Sequence, residues 1–205
     1  MLRQYSFPGA SKPPYTPGED VVGFVDAVGD GVTAPAVGGR VASWTFADAG
    51  CYAEHVVVAA EHTVPVPGEL DAAEAVAMVV NYLTAHEAMH VAAEVCSGER
   101  VLIHEAAGGV GSALVQLRAR AGLELFGTAT AHNQEVVAGL GSTPADYRNK
   151  GFVARTAELT KDSVDVAFEV IGGGRQMWRS ARCLRKGGGR LVMPGMASAN
   201  RKVTR

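Results

Sequence analysis

The spacing of apolar residues along this 205-residue chain changes near residue 70. Before it, residues 21–28, 41–45 and 52–58 are short runs rich in branched or aromatic side chains. Turn residues such as Gly29, Asp30 and Gly31 separate them. This pattern predicts β-strands, because branched and aromatic side chains fit a pleated, half-buried surface. Residues 12–18 (KPPYTPG) are expected to be extended, since a residue preceding proline is pushed away from helical backbone. At Asp71 the spacing turns helical: Asp71 and Glu74 form an N-terminal capping pair, followed by an alanine-rich run to Val80. Asn81 and Tyr82 are expected to interrupt that helix, with a second one over 83–95 closed by Ser97 and Gly98.

Beyond Gly98 the pattern is alternating and regular. Strands are predicted at 101–104, 123–128, 145–147, 164–170 and 190–193. Helices are predicted at 110–121, 134–140, 152–159 and 175–184, with Gly122 and Gly141 as stops. Repeated βα units of this length call for a parallel, doubly wound sheet. Its first strand runs into Ala106, Ala107, Gly108, Gly109, Val110 and Gly111, a GxGxxG pattern in which alanine replaces the first glycine. Small residues are required there if a pyrophosphate is to lie on bare backbone amides at the positive end of a helix. In a chain with 25 glycines, a lone GGVG could also be an ordinary tight connection. Its place on the first strand of the βα series favours a dinucleotide.

An NAD site usually has an acid at the end of the second strand, about 20 residues past the loop. Here that strand ends in Gly127, Thr128, Ala129 and Thr130, and Glu124 lies at its other end. The small hydroxyl leaves room for a 2′-phosphate and favours NADPH, with His132 and Arg148 as the nearby cations. Composition narrows the partners. With 19 basic and 21 acidic residues spread along the chain and a net charge of −2, no basic footprint for nucleic acid or anionic membrane exists. No apolar run is long enough to span a bilayer, and the amino-terminal stretch does not resemble a secretion signal. Cys51, Cys96 and Cys183 are too far apart in sequence for a disulfide framework or a CxxC knuckle, so a reducing cytoplasm is expected.

Eight stretches in order, PYTPGEDVVGFVDAVGDGV, AGCYAEHVVV, NYLTAHEAM, VLIHEAAGGVGSALVQL, LFGTAT, ADYR, VDVAFEVIGG and LRKGGGRLVMPG, resemble the landmarks of zinc-independent medium-chain reductases of the quinone oxidoreductase and zeta-crystallin type. The resemblance implies a partial GroES-like β domain over 1–75. It also implies a Rossmann domain over 76–205, a doubly wound parallel sheet lacking its last strand, with NADPH between the two domains. It further implies that Asn81 and Gly111 belong to the cofactor site, that Thr84 faces the nicotinamide and that Gly108 to Val110 hold the pyrophosphate. Thr130 and Tyr147 would lie at the adenosine end, and Gly195 and Met196 near the carboxamide. No histidine follows Pro17 and Gly18, where the zinc-dependent relatives carry one, so no metal is expected. Hydride would pass from NADPH to a small electrophilic acceptor, a quinone or an α,β-unsaturated carbonyl, with no catalytic side chain assigned. The alternative is a non-catalytic NADPH-binding or interaction protein.

Four features invite other readings. His86, Glu87 and His90 spell HExxH, a zinc-protease motif, but no third ligand pattern follows. Cys51 and His104 read as core residues, and the basic run Arg179, Arg182, Arg185, Lys186, Arg190 as a solvated face. Against the family pattern, Gly39 replaces a usual aspartate. Gln134 stands where a lysine often binds the 2′-phosphate, and Gly187 to Gly189 is one glycine longer than usual. The chain is also short at both ends compared with what it resembles. A homodimer is therefore expected of a full-length form rather than of this chain.

Overall fold

The computed structural model describes residues 14–45, 50–146, 152–171, 174–194 and 203–204, with the backbone alone at 119–121, 174–175 and 203–204. The chain divides into two compact units, one up to Val80 and one from Asn81.

The first unit is built on a three-stranded antiparallel sheet of β1 (Asp20–Phe24), β2 (Arg40–Trp44) and β3 (Thr63–Pro65), in that order. Val22 pairs with Ala42, and Ala42 with Val64. The Arg40 guanidinium donates to the carbonyls of Pro67 (2.8 Å) and Leu70 (2.6 Å), tying the exit of β3 back to β2. The strand expected over 52–58 does not form. Backbone bonds from Cys51 and Tyr52 to Gly18 and Pro17 anchor only its start, and Val57 is fully exposed. Branched residues favour a strand only where a neighbouring edge offers a ladder.

Asp71 does cap a helix: its Oδ1 accepts the amides of Ala73 (2.8 Å) and Glu74 (3.2 Å). That helix, α1 (Ala72–His86), runs unbroken through Asn81 and Tyr82, against the expected interruption. Neither residue removes a backbone donor or frees the chain as proline or glycine would, so burial of Ala85 and Met89 carries the helix onward. It continues into a wider π turn, Glu87–Ala92, where the Ala93 amide reaches the Ala88 carbonyl at 2.9 Å.

The second unit carries the doubly wound sheet. β4 (Arg100–Ile103), β5 (Glu124–Ala129), β6 (Thr143–Asp146), β7 (Val166–Phe168) and β8 (Arg190–Val192) lie parallel in the order β6-β5-β4-β7-β8. A two-residue strand not expected from the pattern, β9 (Val203–Thr204), pairs antiparallel with β8. The helices are α2 (Gly109–Ala121), α3 (Gln134–Gly139), α4 (Phe152–Thr160) and α5 (Gly174–Ala181). Successive β4 residues point to opposite faces, and both faces are buried. Val101 and Ile103 pack with Leu114 of α2 and Val137 of α3, while Leu102 packs with Phe152 of α4 and Ala181 of α5. The carboxyl ends of β4 and β7 are where the windings part, and such a point is where open α/β sheets bind ligands.

Candidate functional site

The loop after β4 is shaped by what a Cβ would hit. Gly108 caps α2 in extended backbone and offers no side-chain bond to the helix amides, and the first turn of α2 holds no acid. A Cβ at Gly111 would collide with the Glu105 carbonyl and lie 2.9 Å from the Ala106 Cα, so only glycine lets α2 start this close to β4. One at Gly109 would meet Asn81 Oδ1 at 2.5 Å. The alanine at the first glycine position is accommodated from the next strand. Ala106 is fully buried, and its Cβ sits 2.7 Å from where a Cβ on Gly127 would be.

Asn81, Glu105, Gly108, Gly109, Val110, Gly111 and Val170 line an open cavity of about 220 Å³. Drug-sized ligands occupy about 300–1,000 Å³, so this space suits a polar group such as a diphosphate rather than a whole dinucleotide. It lies at the switch point, between the loop after β4 and the end of the β7 segment. Free amides at a helix start with no competing cap make an anion site. Five of the sequence-predicted residues meet here: Asn81, Gly108, Gly109, Val110 and Gly111. Thr84 is half-buried within α1, one turn past Asn81, and does not line the cavity. Its mid-helix position rules out a capping role. Thr130 follows β5, half-buried, and its carbonyl accepts the Asn133 amide at 2.9 Å. Tyr147, Gly195 and Met196 lie outside the described residues, as does Arg148.

Sequence reading missed Glu105 and Val170 as lining residues. Position alone could have found them, since each follows a strand flanking the switch point.

Behind the cavity, a chain of buried polar groups ties its two sides together. The Thr128 hydroxyl accepts the Glu105 amide (3.3 Å) and lies 3.0 Å from His104 Nδ1. His104 Nε2 is 2.9 Å from Ser180 Oγ, which donates to Glu169 Oε2 at 2.7 Å, and Glu169 Oε1 accepts the Ile171 amide at 3.1 Å. One assignment satisfies these contacts: His104 carries its proton on Nε2, donates to Ser180 and accepts from Thr128. Gln176 Nε2 at 3.3 Å competes for Nδ1, and the Gln176 backbone carbonyl at 2.9 Å competes for the Ser180 proton. Burial, with the Arg179 cation second, lowers the His104 pKa to about 4. The imidazole is therefore neutral near pH 7 and linked to Glu169 through Ser180 rather than ion-paired with it.

The remaining motifs resolve as structure. His86 and His90 are exposed with ring centres 4.7 Å apart, and among the described residues no three His, Cys, Asp or Glu side chains converge as a metal site. Cys51 is buried with Sγ 3.4 Å from Thr45 Oγ1. Cys183 is buried too, and burial pushes its thiol up to about 11, which keeps it unreactive. The basic run is not a uniformly solvated face. Arg179 lies 4.2 Å over the Phe152 ring, Arg185 pairs with Asp165 at 2.8 Å, and Arg190 pairs with Glu99.

Comparison with known proteins agrees with this architecture. Residues 2–68 match the alcohol dehydrogenase GroES-like domain, and residues 109–204 match the zinc-binding dehydrogenase domain. The human synaptic vesicle membrane protein VAT-1 homolog is 34% identical over 200 residues, covering 97% of this chain and 50% of that protein. The crystal structure of the quinone oxidoreductase from Pseudomonas syringae pv. Tomato DC3000 superposes with a TM-score of 0.83 at 30% identity, covering 93% of this chain and 58% of that one. A mycobacterial protein complexed with NADPH superposes at 0.78 with 31% identity, covering 89% and 57%. The chain thus spans about half the length of the relatives it matches. With a GroES-like unit, a five-stranded parallel sheet and a glycine loop in this order, the chain belongs to the quinone oxidoreductase-like group of medium-chain dehydrogenases/reductases.

Proposed function

We propose that this is an NADPH-dependent oxidoreductase that passes hydride to a quinone or an α,β-unsaturated carbonyl without zinc. The observation that carries the reading is the cavity at the switch point, floored by an uncapped helix start at which a Cβ on Gly109 or Gly111 would clash. The amides of Gly109, Val110 and Gly111 hold the pyrophosphate, and Asn81 borders it. Thr84, one turn further along α1, faces the nicotinamide. Thr130 and Tyr147 serve the adenosine end, and Gly195 and Met196 the carboxamide. NADPH, when bound, supplies the hydride, and the chain's own part is to orient it and stabilise charge developing on the acceptor.

NADPH is favoured over NADH because β5 ends without a carboxylate. Thr128 turns inward to His104, and Glu124 is at the opposite end of the strand. The zinc-free reading rests on Pro17 and Gly18 being followed by Glu19 and Asp20, with no histidine there. A cytoplasmic setting accords with three free cysteines, and no described helix is long and apolar enough to cross a membrane. A homodimer of the full-length protein belongs to the same reading.

Fluorescence titration with NADPH tests the site. Gly108 has ordinary backbone angles, and a Cβ there would meet the Glu105 side chain at 3.1 Å and its backbone carbonyl at 3.3 Å, so Gly108→Asp needs only a small shift of Glu105 while placing bulk and charge in the anion site. It should weaken NADPH at least about a hundredfold. Unchanged affinity would refute the loop assignment. NADPH oxidation with a simple quinone on the same preparation then separates a reductase from a protein that binds without turnover.

A further inference from the structure

Among the described residues that line the cavity, the one charged side chain is an acid. Glu105 is exposed, borders the cavity, and folds over the loop with its Cγ and Cδ 3.1 and 3.3 Å from where a Cβ on Gly108 would stand. Its backbone is held there at a cost. With φ of +52° it occupies the left-handed region, which long L side chains seldom adopt. Its amide donates to Thr128, its carbonyl accepts the Gly108 amide at 2.9 Å, and its neighbour His104 is locked in the buried polar chain. The surroundings thus fix where Glu105 projects, and they aim it at the start of α2.

We infer that Glu105 sets cofactor affinity from the protein side: its carboxylate, lining the cavity beside Gly108 without capping the helix amides, opposes the cofactor's phosphates when they arrive. The reason is electrostatic. An anion at a helix amino-terminus is stabilised by the unpaired amides and the helix dipole. Two anions sharing one such site repel. Glu105 therefore weakens NADPH by like-charge repulsion while leaving the helix amides unpaired in the free protein. This inference rests on the cavity being the pyrophosphate site.

The test compares the parent with Glu105→Gln, which keeps shape and removes charge, and with Glu105→Asn, whose residue type tolerates left-handed backbone. Kd is measured for NADPH and for ADP-ribose, which carries the pyrophosphate without the nicotinamide. Glu105→Gln should tighten both ligands by a similar factor of about ten. Glu105→Asn should tighten both as well. Unchanged or weaker NADPH binding in both variants overturns the inference and leaves the cofactor site standing, and so does a gain for NADPH without one for ADP-ribose. If neither parent nor variants bind NADPH, the functional reading itself falls and takes this inference with it.

Discussion

The two units are stabilised in different ways. In the unit from Asn81 the central sheet is covered on both faces, and Leu102, Ile103, Leu114, Val166 and Phe168 are all removed from solvent. In the unit up to Val80 the described hydrophobic residues buried to that class are Ala42, Cys51 and Ala75, while Phe24, Tyr52 and Val64 are largely exposed. A sheet with two packed faces draws its stability from apolar burial. A three-stranded antiparallel sheet with small buried side chains relies on its ladder and on side-chain ties to loops. The Arg40 contacts with Pro67 and Leu70 and the Asp71 cap are such ties. The candidate site is built on the better-packed unit, as a loop that must hold fixed amides requires.

The largest expected effect tests that contrast directly. Leu102→Ala, at a fully buried position between β4 and its covering helices, should cost about 2–5 kcal/mol by chemical denaturation. If it costs under about 1 kcal/mol, the second unit is not the stable one.

Next comes a pH effect confined to the second unit. The His104 pKa drops from 6.5 to about 4 on folding, so the unfolded chain binds the proton that the folded one excludes. Its contribution is complete above pH 6.5 and declines as pH falls toward about 4, a loss of about 3 kcal/mol in total. Denaturation curves across that window should show the slope in the parent and a flatter one in His104→Gln. Hydrogen exchange read by unit should place the change beyond Asn81, and a loss confined to the first unit would contradict the assignment.

The smallest effect belongs to the first unit. Arg40→Ala removes the bonds to Pro67 and Leu70 at a half-buried position and should cost about 1–2 kcal/mol. Faster exchange near β2 and β3, with the second unit unmoved, would bear out the contrast. A loss matching that of Leu102→Ala would break it.

Features set by one residue's own geometry were legible in the sequence. Gly122 stops α2 with φ of +63°, Gly141 follows α3 with φ of +89°, and Asp71 caps α1 through its own carboxylate. The glycine loop was legible for the same reason, since a missing Cβ is a local fact with a local consequence. Illegible features depended on a partner distant in sequence. The 52–58 segment has strand-forming residues but no ladder. Asn81 and Tyr82 read as a break, yet Tyr82 donates to Gln116 on α2, and the helix continues because its far end is buried. His104 was legible as a core residue, whereas its partners Thr128, Ser180 and Glu169 come from other strands and a later helix.

By itself, then, the sequence determined the alternation of strands and helices from β4 to β8, the helix stops and the small-residue loop, because each is encoded in side-chain size and backbone freedom within a few positions. Only the tertiary structure decided that Asn81 closes on Gly109, that Glu105 overhangs Gly108 and that Val170 completes the cavity. Those juxtapositions arise where parallel strands from separate parts of the chain end side by side, and no spacing along the chain records them.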